Sequence, residues 1–307
     1  MDYSHLYTFC TVVEEGSISK AARKLFVTQP AVSVKIQELE DYYQVKLLER
    51  TNKGVIPTEV GLFVYNEGKR IVSMFINIQK EIERSRSLVD DILVAAASTI
   101  GNFGLPCTVF LFKEKYPNYR VLMEICNSGD VINRLLMRRV EVGLLEGPLQ
   151  VSHKERFARE EIFSRWIMRN KLFLVAPNVE PYRSMTELSL EELIKLPLII
   201  REPGSGTRAS LEQALLEQNL SLQDMNVTME LSSINAIISA ITSNNGVALL
   251  PKMAVRKELR YKILKALPVQ DLTLNHDYTL LYYSHVMKKQ PYSAFIKLLT
   301  SKDRGFC

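Results

Sequence analysis

At 307 residues, 47% of them hydrophobic and 24% charged, the chain has ordinary globular proportions and room for two or three domains of roughly 100–200 residues, which excludes a disordered or fibrous protein. A formal net charge of +5 is too mild to argue by itself for a nucleic-acid partner. No run reaches the ~18 apolar residues of a spanning helix, and the start MDYSHLYTFCTVVEEG lacks the basic opening and apolar block of a secretory signal, so a cytoplasmic protein with no membrane partner is expected.

Cys10, Cys107, Cys126 and Cys307 are scattered, with no Cys-x-x-Cys and no neighbouring histidine, which predicts reduced thiols and no metal site. Residues 1–57 hold seven basic side chains (Lys20, Arg23, Lys24, Lys35, Lys46, Arg50, Lys53) against seven acids, a block that is neutral overall but locally polarised.

In chain order, Leu6, Phe9 and Val13 recur at helical spacing, and Gly16 follows where a left-handed cap is wanted. Ser17 supplies an N-cap for a short second helix through Leu25, whose Ala21 and Ala22 allow another helix to cross closely. Thr28 caps a third helix with Pro30 in its first turn, where a missing N–H costs nothing. Its inward stripe is Val32, Ile36, Leu39 and Tyr43, which leaves Gln29, Ser33, Val34 and Lys35 on the other side.

Two short helices at a steep angle, the second showing small polar and basic residues at its start, fit a helix-turn-helix that reads the major groove of double-stranded DNA. Glutamine pairs with adenine, serine contacts either base type, and lysine reaches guanine or phosphate. LLERTNKGVIPT then predicts a hairpin around Thr51 to Gly54, a wing that brings Arg50 and Lys53 to the sugar-phosphate backbone.

The block FCTVVEEGSISKAARKLFVTQPAVSVKIQELEDYYQVKLLERTNKGVIPTEVG resembles the N-terminal winged helix-turn-helix of LysR-type transcriptional regulators. The resemblance rests on Ala21-Ala22-Arg23-Lys24-Leu25 in helix two, Thr28-Gln29-Pro30-Ala31-Val32-Ser33 at the start of the recognition helix, and Leu47-Leu48-Glu49-Arg50 at the wing. It implies DNA contact by Thr28, Gln29, Pro30, Ser33 and Arg50. The position after the serine, commonly arginine in that family, is Val34 followed by Lys35, and an apolar side chain there can meet a thymine methyl.

From Thr58 to about Ser87 there is no proline, and Val64, Gly68, Ile71, Phe75, Ile78 and Ile82 form a heptad-like seam. A helix of this length, on the order of 45 Å at 1.5 Å per residue, is expected to be covered by a second copy, giving a homodimer or homotetramer. Beyond residue 90, strand and helix patterns alternate: ILVAAAS, PCTVFLFKEKY, YRVLMEI, VINRLLMRR and VGLLEG, then KLFLVAP, PLIIRE, NVTMEL and GVALLP separated by helices. This predicts two α/β lobes with a largely parallel sheet, and YTLLYYS and SAFIKLL returning to the first.

The expected fold class is therefore α/β overall, with a winged helix-turn-helix domain at 1–57 and a linker helix at 58–88. An effector-binding domain follows at 89–307, its lobe I about 89–162 and 269–307 and its lobe II about 163–268. Its two-lobed form resembles the same family's effector domain, which is similar to periplasmic binding proteins.

A ligand is expected at strand C-termini, where helix N–H groups point outward. ASTIGN places Ser98 and Thr99 there in the first lobe, and REPGSGTR places Arg201, Ser205, Gly206, Thr207 and Arg208 in the second, an arrangement suited to a small anion: carboxylate, phosphate or sulfur oxyanion. Asn127, Glu146 and Asn235 lie near similar junctions. These stretches look most like regulators of carbon fixation and of sulfite or sulfate assimilation.

An enzyme is disfavoured. Ser17-Ile18-Ser19-Lys20 matches Ser-x-x-Lys, but Ser-Asp-Asn, Lys-Thr-Gly, Gly-x-Ser-x-Gly, the Walker loop and His-Glu-x-x-His are missing from the sequence, so no catalytic residue and no cofactor is expected. A free solute-binding module is disfavoured by the N-terminal block. Redox sensing remains a rival, with Cys107 and Cys126 as a pair that could meet in space. The reading is a ligand-responsive DNA-binding regulator, with RNA polymerase as a possible further partner.

Overall fold

The structure, a computed structural model, describes residues 2–51, 54–85 and 91–306. The chain divides into two compact units, residues 1–87 and, apart from the short 136–139 stretch, residues 88–307.

In the first unit α1 (Tyr3–Glu15) starts at Asp2, whose carboxylate accepts from the Ser4 and His5 amides, and ends at Gly16 with φ +60°. The Ser17 hydroxyl accepts from the Lys20 N–H to begin α2 (Ile18–Lys24), and the Thr28 hydroxyl accepts from the Ala31 N–H to begin α3 (Gln29–Tyr43). Val32, Ile36 and Leu39 are buried with Leu6, Phe9, Ala21 and Ala22 in one core, as the stripe predicts. Tyr43 is not part of it: it is the last helical residue before left-handed Gln44, is exposed, and packs edge-on against Tyr42.

β1 (Leu48–Thr51) and β2 (Gly54–Pro57) pair antiparallel as the wing; Asn52 and Lys53 at its tip lie outside the described residues. The wing hangs on one buried carboxylate. Glu40 Oε1 accepts from the Leu47 and Leu48 amides at 2.8 and 3.1 Å, and Lys46 Nζ meets Oε2 at 2.6 Å. Burial alone would raise this acid, but Lys46 and the two amides outweigh it and hold Glu40 below the usual carboxylate range.

α4 (Glu59–Ser85) is one 27-residue helix. Of its seam, Gly68 is buried, while Ile71, Phe75, Ile78 and Ile82 are exposed in the single chain.

The second unit has two sheets' worth of lobes. In the first lobe, β3 (Asp91–Ala97) leads through a π-helical turn (Ile100–Gly104) into α5 (Leu105–Lys115), followed by β4 (Arg120–Cys126), α6 (Ser128–Leu136), β5 (Val142–Glu146), α7 (Val151–Arg159) and β6 (Ile162–Met168). The second lobe runs β7 (Leu172–Pro177), α8 (Leu190–Lys195), β8 (Leu198–Arg201), α9 (Gly206–Leu216), β9 (Val227–Leu231), α10 (Ile234–Thr242), β10 (Ala248–Pro251), α11 (Arg256–Arg260) and β11 (Leu264–Leu267). β12 (Tyr278–Tyr283) and α12 (Gln290–Thr300) return to the first.

The first sheet has the order β4-β3-β5-β12-β6, with β3 parallel to β4 and β5 but β12 antiparallel to both β5 and β6. The second lobe has β10-β7-β11 antiparallel and β8-β9 parallel. The sheets are thus mixed where a largely parallel one was expected, because each lobe accepts a strand arriving from the other.

The expected lobe boundary near 162–165 also moves. β6 pairs with β12 from Ile162 to Met168, so it belongs to the first lobe, and the outward crossover falls after it. The return crossover, expected near residue 269, lies beyond β11, which pairs with β7. The two crossing segments bond to each other: the Asn170 and His276 amides each donate to the other's carbonyl, and Lys171 bridges Asn275.

Candidate functional site

On the first unit, Thr28, Gln29, Pro30 and Val34 are exposed along the start of α3, and Ser33 is half-buried beside them. The Ser19 hydroxyl donates to Gln29 Oε1 at 3.0 Å, which orients the amide and leaves its N–H groups outward. Lys35 is less available than its sequence suggests: it is half-buried, and its ammonium donates to Ser4 Oγ at 3.0 Å. Lys24 is likewise held by Glu15 at 2.7 Å. Arg50 is exposed on β1, and Lys53 is outside the described residues. Sequence reasoning passed over Phe26, which is 95% exposed at φ +56° in the turn before α3. The signal was there, since an aromatic residue in a two-helix turn has no core to enter.

In the second unit the strand ends converge as expected. Arg201, at the end of β8 and 3% exposed, donates to Ser98 Oγ at 3.2 Å across the lobes. Its Nε, and the same Nη2 that meets Ser98, also donate to Glu202, at 2.8 and 3.0 Å. Glu146, at the end of β5, is buried; its Oε1 accepts the Ile100 N–H at the start of the π-turn, and Oε2 lies 3.4 Å from His276 Nε2. His276 Nδ1 meets Ser210 Oγ of α9 at 3.0 Å. Polar groups of the first lobe, a crossover segment and the second lobe thus lie close together, although His276 Nε2 is itself buried without a hydrogen bond.

Two hydroxyls in this cluster have no partner. Thr99 Oγ1 and Thr207 Oγ1 are buried and make no hydrogen bond, on residues that are 0% and 4% exposed. Such groups cost on the order of 1–3 kcal/mol each when left unpaired, so a polar partner at either hydroxyl is stabilising.

The glycine-rich loop behaves differently from its expected role. A Cβ on Gly206 would stand 1.9 Å from the Glu146 carbonyl oxygen, and the Gly129 N–H donates to the Gly204 carbonyl at 3.0 Å. These glycines let the lobes touch backbone to backbone. Ser205 is buried as the N-cap residue of α9 and makes no side-chain cap bond. Asn127 Oδ1 accepts from the Asp130 N–H at the start of α6.

Arg208 does not reach the cluster as a free fork: it is tied to Glu212 and Glu230, both at 2.7 Å, and to the Arg201 carbonyl. Asn235 lines a separate cavity with Phe103 and Met253. The residues missed from sequence were Ser128, whose hydroxyl bonds both the amide and the carbonyl of Glu146, together with Ser210 and His276. His276 lies in a crossover, and a correctly placed boundary would have drawn attention to it.

Cys10 and Cys126 are free thiols, as expected, whereas Cys107, expected to be reduced, is disulfide-bonded and is not paired with Cys126; Cys307 is outside the described residues. Burial raises the Cys10 thiol to about 12 and the Cys126 thiol to about 11. Among the described residues no helix is long and apolar enough to cross a membrane, and no three His, Cys, Asp or Glu side chains could hold a metal ion.

Residues 3–62 match the family described as bacterial regulatory helix-turn-helix protein, lysR family, and residues 87–304 match the LysR substrate binding domain. The chain is 28% identical over 302 residues to the HTH-type transcriptional regulator CysL of Bacillus subtilis (strain 168), covering 98% of this chain and 97% of that protein. It is 29% identical over 297 residues to the HTH-type transcriptional activator CmpR of Synechocystis, covering 97% and 94%. Among solved structures, full-length CbnR complexed with its target DNA superposes with TM-score 0.60 at 17% identity, over 98% of this chain and 99% of that one. The Synechocystis PCC6803 CcmR regulatory domain in complex with 2-PG superposes with TM-score 0.59 at 19% identity, over 69% of this chain and 96% of that one. With both the helix-turn-helix and the substrate-binding portion matched, the chain belongs to the LysR family of DNA-binding transcriptional regulators.

Proposed function

We propose that this regulator senses a small anionic metabolite between its two lobes and transmits occupancy to DNA affinity or spacing. The observation that carries the reading is the pair of buried, unpartnered hydroxyls on Thr99 and Thr207, beside the buried Arg201 that already bridges the lobes through Ser98. In this arrangement Glu202 occupies the Arg201 fork, as a carboxylate, phosphate or sulfur oxyanion of an effector would. The effector displaces Glu202, takes the two hydroxyls as donors, and shifts the balance between lobe arrangements by its differential affinity for them.

On the DNA side, Thr28, Gln29, Pro30, Ser33 and Val34 face the bases, and Arg50 faces the backbone. The exposed seam of α4 joins two copies, so that two recognition helices read an interrupted dyad. The protein works in the cytoplasm by binding, with no chemical step; this fits its relatives, which are regulators.

The test is fluorescence anisotropy on DNA upstream of the protein's own gene against a shuffled duplex, at several salt concentrations, with 2-PG, phosphate, sulfate and a simple carboxylate added in turn. Preference for the upstream duplex, altered by one of these anions in wild type and lost in Arg201→Ala, is expected. Binding that ignores both sequence and every anion would refute the reading.

The disulfide at Cys107, in the first turn of α5, favours redox response as a second reading. In that case dithiothreitol changes operator affinity in wild type and leaves Cys107→Ser unchanged.

A further inference from the structure

A cavity of about 540 Å³ opens where the π-turn of the first lobe meets the second lobe, and it shares no lining residue with the Thr99, Arg201 and Thr207 cluster. Its walls are apolar: Phe103 from the first lobe, and Ile238, Met253 and Tyr261 from the second. Phe103 is partly buried against the second lobe's core. Around these stand Arg256, Lys257 and Arg260, with Glu258 as the single acid lining the cavity, so three cations face one carboxylate. All three cations are exposed, and among the described residues none of them has an ion-pair partner.

Clefts of roughly 300–1,000 Å³ with apolar walls and a few placed polar groups are the usual form of small-molecule sites. We propose that this cavity is a second ligand site, taking an organic anion with a flat apolar body and one sulfonate, carboxylate or phosphate group. The body lies between Phe103, Ile238 and Met253, and the anionic group meets the basic residues of α11. Asn235, which lines the same cavity, supplies a neutral hydrogen-bonding group.

Because Phe103 and α11 belong to different lobes, an occupant contacts both and changes the cost of moving them apart. That regulatory meaning rests on the proposed effector response, whereas the binding itself does not.

Naphthalene-1-sulfonate titrated into the full-length protein by isothermal calorimetry tests the site. One molecule per chain is expected to bind. Replacing Arg256, Lys257 and Arg260 together by alanine should weaken binding about tenfold, as for three exposed charges each contributing a fraction of a kcal/mol. Met253→Trp, which fills the floor, should abolish it, and Lys195→Ala, an exposed lysine on α8, should leave it unchanged.

Absence of binding heat with millimolar probe overturns the proposal, as does equal affinity in wild type, the triple variant and Met253→Trp. The triple variant changes only exposed side chains, so it decides the matter even if Met253→Trp fails to fold. A chain that binds the probe in this pattern but whose operator binding ignores every anion upholds the cavity while removing the proposed effector response.

Discussion

Replacing Glu40 by alanine should loosen the wing without touching the effector unit. Leu47 is fully buried, so losing its acceptor leaves an unpaired buried N–H, a cost of about 1–3 kcal/mol. The Leu48 amide loses a charge-assisted bond at 3.1 Å, and the mostly exposed Lys46 partner adds under about 1 kcal/mol. Together these amount to about 3 kcal/mol, or roughly a hundredfold faster hydrogen exchange where local opening limits protection. Exchange of the full-length protein followed by mass spectrometry reads this directly, with peptides from 46–58 as reporters and peptides from 172–267 as internal reference.

The same group fixes a pH window. Its folded pKa lies below the ordinary value of 4.5, so its contribution is fully present above that value and is lost as pH falls through the depressed one. The gap in thermal midpoint between wild type and Glu40→Gln should therefore close on acidification below pH 4.5. Unchanged exchange of the 46–58 peptides in Glu40→Ala, or an equal rise in the reference peptides, would refute the argument.

Other substitutions separate the sites. Gln29→Ala and Ser33→Ala should reduce operator affinity while sparing shuffled DNA, whereas Arg50→Ala should weaken both and lower the salt slope by about one; anisotropy at several salt concentrations distinguishes them. Glu202→Gln frees the Arg201 fork of its resident charge and should tighten binding of the responding anion, which calorimetry would show; weaker binding would place the anion elsewhere. Gly206→Ala forces a methyl against the Glu146 carbonyl and should lower the thermal midpoint reported by Trp166, the chain's single tryptophan, by an amount equivalent to about 1–3 kcal/mol. Native Cys10 and Cys126, with thiols raised to about 12 and 11, should react slowly with a thiolate-dependent reagent at pH 8 and rapidly in denaturant.

The winged half of the fold is written in local signals. Ser17, Thr28, Pro30 and Gly16 announce helix ends through their own local chemistry, and the structure puts caps at Gly16, Ser17 and Thr28 with Pro30 in the first turn of α3. Tyr43 fails because periodicity assumes that the helix continues, while Gln44 ends it one residue later. The lobe boundaries fail for a different reason. β6 has four consecutive exposed residues, Phe163 to Trp166, so no alternation reveals which sheet it joins; that is decided by pairing with β12, more than a hundred residues away.

The polar cluster at the strand ends was half legible. Ser98, Thr99 and Arg201 follow from strand ends meeting helix starts, a rule that needs only element order. The ties of Arg208 were not legible because its partners Glu212 and Glu230 come from α9 and β9, and only one of them is near in sequence. His276 was missed because a crossover has no periodicity at all.

The contact between the lobes has a consequence for how such a protein can be rewritten. One part of it is made by main-chain atoms of Gly129, Gly204, Gly206 and Glu146, so that part depends on residue 206 having no side chain, while Arg201 and Ser98 add a side-chain bridge. The proposed recognition involves Ser98, Thr99, Arg201, Glu202 and Thr207, side chains distinct from the glycine contact. If the proposed recognition holds, a biosensor built on this scaffold would be retuned to new anions at those five positions while the glycine contact is kept.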